Sequence, residues 1–293
     1  MSILLQVVIN GILFGTMYGI AAIGLSLIFG TMRIIFLAQG SMIVLFAYLT
    51  YWVFTLAGID PYICILITVP VAFIVGLGLF YTLFKDAAAN EDKNVSLLLA
   101  VGLMYMVDNL MLTVWTANPR FVATSYASYT IRIGEINISF VRLMALVLAL
   151  AAAFVVYYFL KNTRLGTAVR AAATDMQAVT LLGISSSWVM AIAFGIGIGL
   201  AGLAGVVMAS VYSFDPNYGF VFALKALVAL VLGGVGNVWG ALTAGLLLGL
   251  IESLGSYYIG AGWADAISYA VFIIVLIFMP NGLFGGRAVV KKV

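Results

Sequence analysis

Six stretches of this chain carry no charged residue, and each is long enough to cross a lipid bilayer as a helix. A transmembrane helix needs roughly 20 consecutive apolar residues. The uncharged stretches are residues 1–32, 34–59, 61–84, 176–214, 226–251 and 266–286. Only 8% of the 293 residues are charged, against about 25% in a soluble domain. The sequence therefore predicts an all-α, polytopic helical membrane protein with about 8–10 transmembrane or half-spanning helices.

The polar interruptions between these stretches are too short to fold by themselves. The longest are residues 85–94, 118–142 and 161–187, and segments of that size cannot bury a hydrophobic core of their own. We therefore expect residues 1–293 to form a single transmembrane domain. The sequence also lacks a glycine-rich phosphate loop followed by Lys-Ser or Lys-Thr, so any ATP would have to be bound by another chain.

The composition excludes most catalytic chemistry. The chain has no histidine and a single cysteine, Cys64, inside an uncharged stretch. A Cys–His or Ser–His pair is therefore impossible, and disulfides, zinc and haem are not expected. We predict no catalytic residue, no metal site and no cofactor bound by this chain. The N-terminus has no basic region before its apolar run, which indicates a retained first helix.

A basic, alanine-rich connection interrupts the apolar pattern at residues 161–187. Its composition favours helix, and Gly166 and Gly183 can bound a single helix of about four turns over residues 167–182. One face of that helix would carry Ala171, Asp175, Ala178 and Leu182. A short amphipathic helix on a membrane surface rests on the bilayer or docks into a partner. A solvated loop without a partner is the alternative.

Basic residues cluster in this connection and at the C-terminus. They are Lys161, Arg164, Arg170, Arg287, Lys291 and Lys292. The positive-inside rule places both clusters in the cytoplasm, so the number of crossings between them must be even. The longest loop on the opposite, outer side is then residues 118–139, where isoleucines and tyrosines indicate short extended segments.

Several polar residues lie within predicted spans, where they are costly in lipid. They are Asn10 in the first span, Gln39, Gly40 and Ser41 in the second span from Ile34 to Ala57, and Asp108 and Asn109 in the fourth span. We predict that they line a substrate pathway. A polar residue beside a glycine inside a span often marks an unwound, cavity-lining segment. The alternative is that these side chains only form hydrogen bonds between packed helices.

A short apolar segment near the C-terminal third also departs from a full crossing. Phe222 to Gly233 holds only about twelve residues before a glycine-rich turn. This is less than the roughly 20 residues that a complete span needs. We therefore expect a half-spanning or re-entrant element. If it counts as a crossing, four crossings separate the two basic clusters.

The central connection reads Arg-Leu-Gly, then Val-Arg-Ala-Ala-Ala-Thr-Asp, then Ala-Val-Thr-Leu-Leu-Gly-Ile. In order and spacing it resembles the cytoplasmic coupling loop of ATP-binding-cassette (ABC) importer permeases, above all the branched-chain (hydrophobic) amino acid permease family. The resemblance covers nearly the whole chain, including Leu-Gly-Gly-Val-Gly at residues 232–236 and Met-Pro-Asn-Gly-Leu-Phe-Gly at residues 279–285. One departure is Gln39, which stands where the family has histidine in Asn-Phe-Ala-His-Gly and cannot titrate.

The resemblance implies a permease subunit that moves branched-chain or other hydrophobic amino acids across the bacterial inner membrane, with no covalent chemistry of its own. It implies as partners a second homologous permease, two ATP-binding subunits that use the ATP, a periplasmic or lipid-anchored substrate-binding protein and membrane lipids, but no nucleic acid. The residues that it assigns to ATPase coupling are Arg164, Gly166, Arg170, Ala171, Asp175, Ala178, Leu182 and Gly183.

Two other functions remain open at this point. The same machinery could import urea or short-chain amides, as related permeases do. A self-sufficient, ion-coupled secondary transporter would instead need carboxylates near the middle of the membrane. Asp108 and Glu252 are the candidates for such carboxylates.

Overall fold

The computed structural model describes residues 2–89, 93–133, 136–279 and 281–284, which form a bundle of helices with one β-hairpin. The helices are α1 (Ser2–Met32), α2 (Gln39–Ala57), α3 (Pro61–Leu79), α4 (Lys85–Ala89), α5 (Lys93–Trp115), α6 (Phe140–Asn162), α7 (Arg164–Thr174), α8 (Met176–Leu181), α9 (Ser186–Val211), α10 (Tyr218–Gly233), α11 (Val238–Tyr258) and α12 (Ala264–Phe278). The strands are β1 (Thr130–Ile133) and β2 (Ile136–Ser139). A π-helical turn, Phe80–Phe84, joins α3 to α4, and a 3₁₀ turn, Ala261–Trp263, precedes α12.

Eight helical segments within these ranges are long and apolar enough to cross a membrane. Their number agrees with the predicted polytopic helical fold. The element that the sequence marked as short is α10, with 16 residues. The predicted extended segments form the hairpin, in which Thr130 pairs with Ser139 and Ile133 with Ile136.

Two predicted boundaries are wrong. The second span does not begin at Ile34, because residues 33–38 are not helical and α2 starts at Gln39. Phe36 holds this segment in place, since its ring packs on Phe84 and Phe194 with centroid distances of 5.5 and 5.0 Å. The polar connection after α3 is also partly helical, because α4 continues the third span beyond the π-helical turn.

Helices α1 and α9 form the centre of the bundle, where small residues permit close approach. On α1, Gly15 faces Gly245 of α11 so closely that a Cβ atom at Gly15 would overlap the Gly245 carbonyl oxygen. On α9, a Cβ atom at Gly205 would lie 2.7 Å from the carbonyl oxygen of Ile43 in α2. Little hydrophobic effect drives helices together in lipid, so such close backbone packing supplies much of the association energy. This close packing explains why α9 is rich in glycine.

The two ends of the bundle are defined by contacts far apart in sequence. At one end, which we call the hairpin end, the Gln6 amide nitrogen of α1 donates to the Asn137 carbonyl oxygen of β2 at 2.6 Å. The Tyr126 hydroxyl there donates to the Asp60 carboxylate at 2.5 Å. Burial, together with this bond to an anion, raises the pKa of Tyr126. Helix α1 therefore begins at the hairpin end.

The opposite end, which we call the loop end, carries α7 and α8, because α6 runs from the hairpin to α7. The Leu283 N–H donates to the Leu232 carbonyl oxygen at 2.7 Å, at the end of α10. The turn after α10 reaches α1, where the Gly236 N–H donates to Ser26 Oγ at 3.0 Å. Residues 281–284 thus lie at the end of the bundle where α10 finishes. The C-terminal basic cluster, residues 287–292, lies outside the described residues.

Candidate functional site

The connection between α6 and α9 forms two helices, so the predicted single helix over residues 167–182 is wrong. Asp175 separates α7 from α8 with extended backbone angles of −150° and 103°. Its Oδ1 accepts hydrogen bonds from the Gln177 and Ala178 N–H groups at 2.9 and 3.1 Å. Aspartate favours this N-cap position because its side chain satisfies backbone donors that have no partner within the helix.

Gly166 does not bound the helix, as the sequence predicted, but lies buried inside the first turn of α7. A Cβ atom there would overlap the Phe159 carbonyl oxygen of α6. The helix instead begins after Thr163, whose Oγ1 accepts from the Gly166 N–H at 2.9 Å. Gly183 does end α8, with a φ of +78° that favours glycine.

The outer face of α7 and α8 is exposed. It contains seven of the eight residues assigned to coupling, namely Arg164, Arg170, Ala171, Asp175, Ala178, Leu182 and Gly183. Large apolar side chains lie beside them, with Leu181 89% and Leu182 78% exposed. The inner face, with Ala168, Val169 and Ala172, is buried in the bundle core. The connection is therefore anchored on one side and unpartnered on the other within the described chain.

The first turns of α2 and α10 meet inside the bundle, at a place that we call the α2–α10 junction, formed by Gln39, Gly40, Ser41, Asp108 and Gly219. A Cβ atom at Gly40 would overlap the Gly219 carbonyl oxygen. A Cβ atom at Gly219 would lie 2.9 Å from Ser41 Oγ and 3.1 Å from Asp108 Oδ1. Neither helix has a side-chain N-cap. The Asp108 carboxylate thus lies near two uncapped helix N-termini, which favour negative charge.

Gln39 and Ser41 are completely buried at this junction. The Gln39 amide nitrogen donates to the Gly197 carbonyl oxygen of α9 at 3.2 Å, which is the helix-packing bond that the sequence left as an alternative. Gln39 Oε1, Ser41 Oγ and Asp108 Oδ1 have no hydrogen-bond partner in the described part of the chain. Buried polar atoms usually have a hydrogen-bond partner. This cluster of unpartnered atoms is therefore a place where a polar ligand could form hydrogen bonds.

Asn10 and Asn109, also predicted for the pathway, lie away from the junction. Asn10 Oδ1 accepts from Arg142 Nη1 of α6 at 3.2 Å, near the hairpin end. Asn109 is exposed on α5, and its amide nitrogen donates at 2.7 Å to the Tyr105 carbonyl oxygen of its own helix. The structure therefore brings together four of the six predicted pathway residues.

Lys225, which the sequence analysis did not single out, forms a buried ion cluster. Its Nζ lies 2.6 Å from Glu252 Oε1 and 2.9 Å from Asp265 Oδ1. It also donates to the Tyr18 hydroxyl at 3.1 Å. The sequence feature that could have predicted this cluster is a single lysine in an otherwise apolar α10, since a cation within a membrane helix requires a partner. Glu252 is thus paired with a lysine and is a poor candidate for a free ion-coupling carboxylate.

Together, the eight candidate spans, the short α10 and the anchored surface loop define the class of polytopic helical membrane proteins. The chain belongs to the family described as the permease component of the branched-chain amino acid transport system, which it matches over residues 7–278. It is therefore a multi-pass transport permease rather than an enzyme.

Curated relatives agree with this assignment over the whole chain. The chain is 29% identical to the high-affinity branched-chain amino acid transport system permease protein BraD of Pseudomonas aeruginosa, over 99% of this chain and 98% of that protein. It is also 29% identical to LivH of Escherichia coli, described in the same words, over 99% and 97% of the two chains. The autoinducer 2 import system permease protein LsrC of Salmonella paratyphi B is 36% identical over 49% of this chain and 42% of its own length. No solved structure matches the chain.

Proposed function

We propose that this chain is a membrane-spanning subunit of an ABC importer in the inner membrane, and that it moves branched-chain or other hydrophobic amino acids. Family membership and the relatives named for branched-chain amino acid transport support this proposal. In the assembly, a second homologous permease chain completes the pathway, and two separate ATPase subunits bind and hydrolyse ATP. A substrate-binding protein delivers the amino acid at the hairpin end.

The observation that carries the proposal is the surface of α7 and α8, which we call the docking surface. It presents Arg170 and Asp175 as charges for pairing, Ala171 and Ala178 as small residues for close approach, and Leu182 as an apolar contact, all of them exposed. An exposed leucine on a short helix at the membrane surface is typical of a partner interface. The docking surface therefore suits a groove in an ATPase subunit, and the loop end is then cytoplasmic.

The packing of α7 suggests how motion of the ATPase reaches the spans. Buried Ala168, Val169 and Ala172 join α7 to the bundle core, and Gly166 brings α7 against the end of α6. A push on α7 is therefore passed directly to packed helices. The break at Asp175 allows α8 to move relative to α7. We therefore propose that α7 transmits the motion of the ATPase to the spans, and that α8 binds the ATPase subunit. This differs from what a single helix over residues 167–182 would do.

The substrate pathway is proposed to pass the α2–α10 junction. Two helix N-termini, Ser41 and Asp108 supply polar groups in the bundle interior, where an amino acid would otherwise lose all its hydrogen bonds. The close contact of Gly40 with Gly219 closes this point in the present conformation. Separation of α2 from α10 would open it.

Replacing Ala178 by tryptophan tests the proposal. Ala178 is exposed in the isolated chain, so the variant should insert and accumulate normally in the membrane. In the complex the indole overfills the contact with the ATPase, by analogy with overpacked cores at a cost of about 1–3 kcal/mol. We expect weakened co-purification of the ATPase subunit and loss of ATP-driven leucine uptake.

The matched control is Ala151→Trp, which makes the same substitution on the exposed surface of α6, outside α7 and α8. It should leave both measurements near those of the wild type. Full ATPase binding and full uptake by Ala178→Trp would show that the loop is a passive linker, and would remove the main support for an ATPase-driven importer.

A further inference from the structure

A polar cleft of about 300 Å³ opens near the hairpin end of the bundle. Its walls come from α1, α6, α9 and the segment that contains the hairpin. The polar lining residues are Gln6, Asn10, Thr130, Asn137, Ser139, Arg142 and Ser210. An apolar side is formed by Phe121, Ala127, Val141 and Val211. The cleft is separate from the α2–α10 junction and shares no residue with it.

Among the described residues that line this cleft, Arg142 alone is charged. Its guanidinium carbon lies over the Phe14 ring, 4.3 Å from the ring centroid, in a cation–π contact that helps to hold the group. Its hydrogen bond to Asn10 Oδ1, at 3.2 Å, uses only one of five N–H donors. No carboxylate lies within ion-pair distance of Arg142 in the described ranges of the chain. A guanidinium held in place with free donors is suited to bind an oxyanion, and its planar fork matches a carboxylate.

We infer that this cleft binds a free hydrophobic amino acid, with its carboxylate on Arg142. Oxygen atoms that can accept from the ammonium group also line the cleft, including Ser210 Oγ, whose own hydrogen is donated to the Val206 carbonyl oxygen at 2.9 Å. The ligand side chain then lies against the apolar residues Phe121, Val141 and Val211. The cleft is an entry site that a substrate meets before the α2–α10 junction.

This inference rests on the proposed function for its substrate class, but it can be tested without transport. The purified chain is placed in detergent, and binding is measured with radiolabelled leucine and, in competition, with leucinol. Leucinol keeps the ammonium group and the side chain but lacks the carboxylate. Leucine should bind saturably, and leucinol should compete poorly, by about tenfold or more, because the fork of Arg142 then has no partner.

Three variants locate the site. Arg142→Gln should weaken leucine binding by about tenfold or more, and Arg142→Lys should be intermediate, because lysine keeps the charge but not the fork. Ala127→Trp fills the cleft while Arg142 stays in place, and it should also abolish binding. If loss of the contact with Phe14 prevents Arg142→Gln from folding, Ala127→Trp still tests whether leucine binds in the cleft.

Several results would overturn the inference. Leucine binding that survives Ala127→Trp, or equal competition by leucine and leucinol, would show that the leucine carboxylate does not bind in this cleft. If leucine fails to bind but phosphatidylglycerol vesicles bind in an Arg142-dependent way, the site recognises a lipid phosphate instead.

Failure of the proposed function has a different signature, namely leucine binding that depends on Arg142 together with no ATP-driven uptake by the assembled transporter. Uptake that is unaffected by Arg142→Gln would leave the proposed function standing without this entry site.

Discussion

At the scale of single residues, close backbone contacts and buried charges distinguish positions that look alike in sequence. The chain has 31 glycines, but they differ in what a side chain would meet. A Cβ atom at Gly40 would overlap backbone of α10, whereas one at Gly78 would have no neighbour within 4 Å. Basic residues also differ in their surroundings. Lys225 is buried beside carboxylates, whereas the basic residues of the loop are exposed.

Gly40→Ala should therefore disrupt the α2–α10 junction. The added methyl group forces α2 from α10, at a cost of about 1–3 kcal/mol. We expect a lower unfolding temperature in detergent and reduced uptake. Gly78→Ala is the control, and it should be neutral or slightly stabilising, since alanine is the better helix former. Equal stability of the two variants would mean that the junction is loosely packed.

Lys225→Met should destabilise the chain because it leaves Glu252 and Asp265 without their shared cation. Removing one partner of a fully buried pair costs about 3–5 kcal/mol. The side chains of Glu252 and Asp265 are 23% and 53% exposed, so a smaller loss of about 2 kcal/mol is expected. The double variant Lys225→Met/Glu252→Gln should recover much of this loss in unfolding experiments. Additive losses would show that the ion pair does not couple the two positions.

At the scale of elements, the connection between α6 and α9 shows how one side chain divides a helix-forming segment. Alanine-rich composition favours continuous helix, but Asp175 gains two hydrogen bonds to N–H groups by leaving the helical conformation. The result is a long α7 fixed to the core and a short α8 of six residues fixed only weakly. Helix α8 is far too short to be stable by itself, so its cap is important.

Asp175→Ala should therefore fray α8 at a cost of about 1 kcal/mol. The spans do not contain this residue, so thermal unfolding of the bundle should change little. Faster amide hydrogen exchange over residues 176–182 should report the fraying, with weaker ATPase co-purification. Asp175→Asn keeps an acceptor oxygen, so amide exchange over residues 176–182 should match that of the wild type. Unchanged exchange in Asp175→Ala would show that α8 is held by other contacts.

At the scale of the whole molecule, the contacts at the hairpin and loop ends show which helix ends lie on the same side of the bundle, and the positive-inside rule predicts that the loop end is cytoplasmic. The Gln6–Asn137 hydrogen bond places the start of α1 at the hairpin end. Helices α9, α10, α11 and α12 then lie between the loop and residues 281–284. This agrees with the even number of crossings that the positive-inside rule requires.

Cysteine labelling can test this orientation. On a Cys64→Ser background, single cysteines replace the exposed residues Leu4, Ser125 and Thr180. Cys64 is buried, and its Sγ donates to the Ile59 carbonyl oxygen, a bond that serine can also form. An impermeant reagent added to intact cells should label positions 4 and 125 but not position 180. Labelling at 180 from outside, or protection at 4, would contradict the orientation.

The membrane class, most of the spans, the extended segments of the hairpin and the surface connection could all be predicted from the sequence. These features follow from local quantities, because the cost of placing each residue in lipid accumulates along the chain and does not depend on distant neighbours. The two wrong predictions, a single helix over residues 167–182 and a second span from Ile34, also have local causes. In the first an aspartate cap, and in the second a packed aromatic ring, outweighed the helix-forming composition.

Which polar side chains contact one another depends instead on the tertiary structure. Lys225 finds Glu252 and Asp265, Gln39 finds Gly197, and Asn10 finds Arg142. Each of these contacts depends on the rotation and relative height of helices that are far apart in sequence. In lipid, those two variables are set by how closely small residues let the backbones approach. The polar cleft around Arg142 could not be predicted for the same reason, since four separate segments of the chain form its walls.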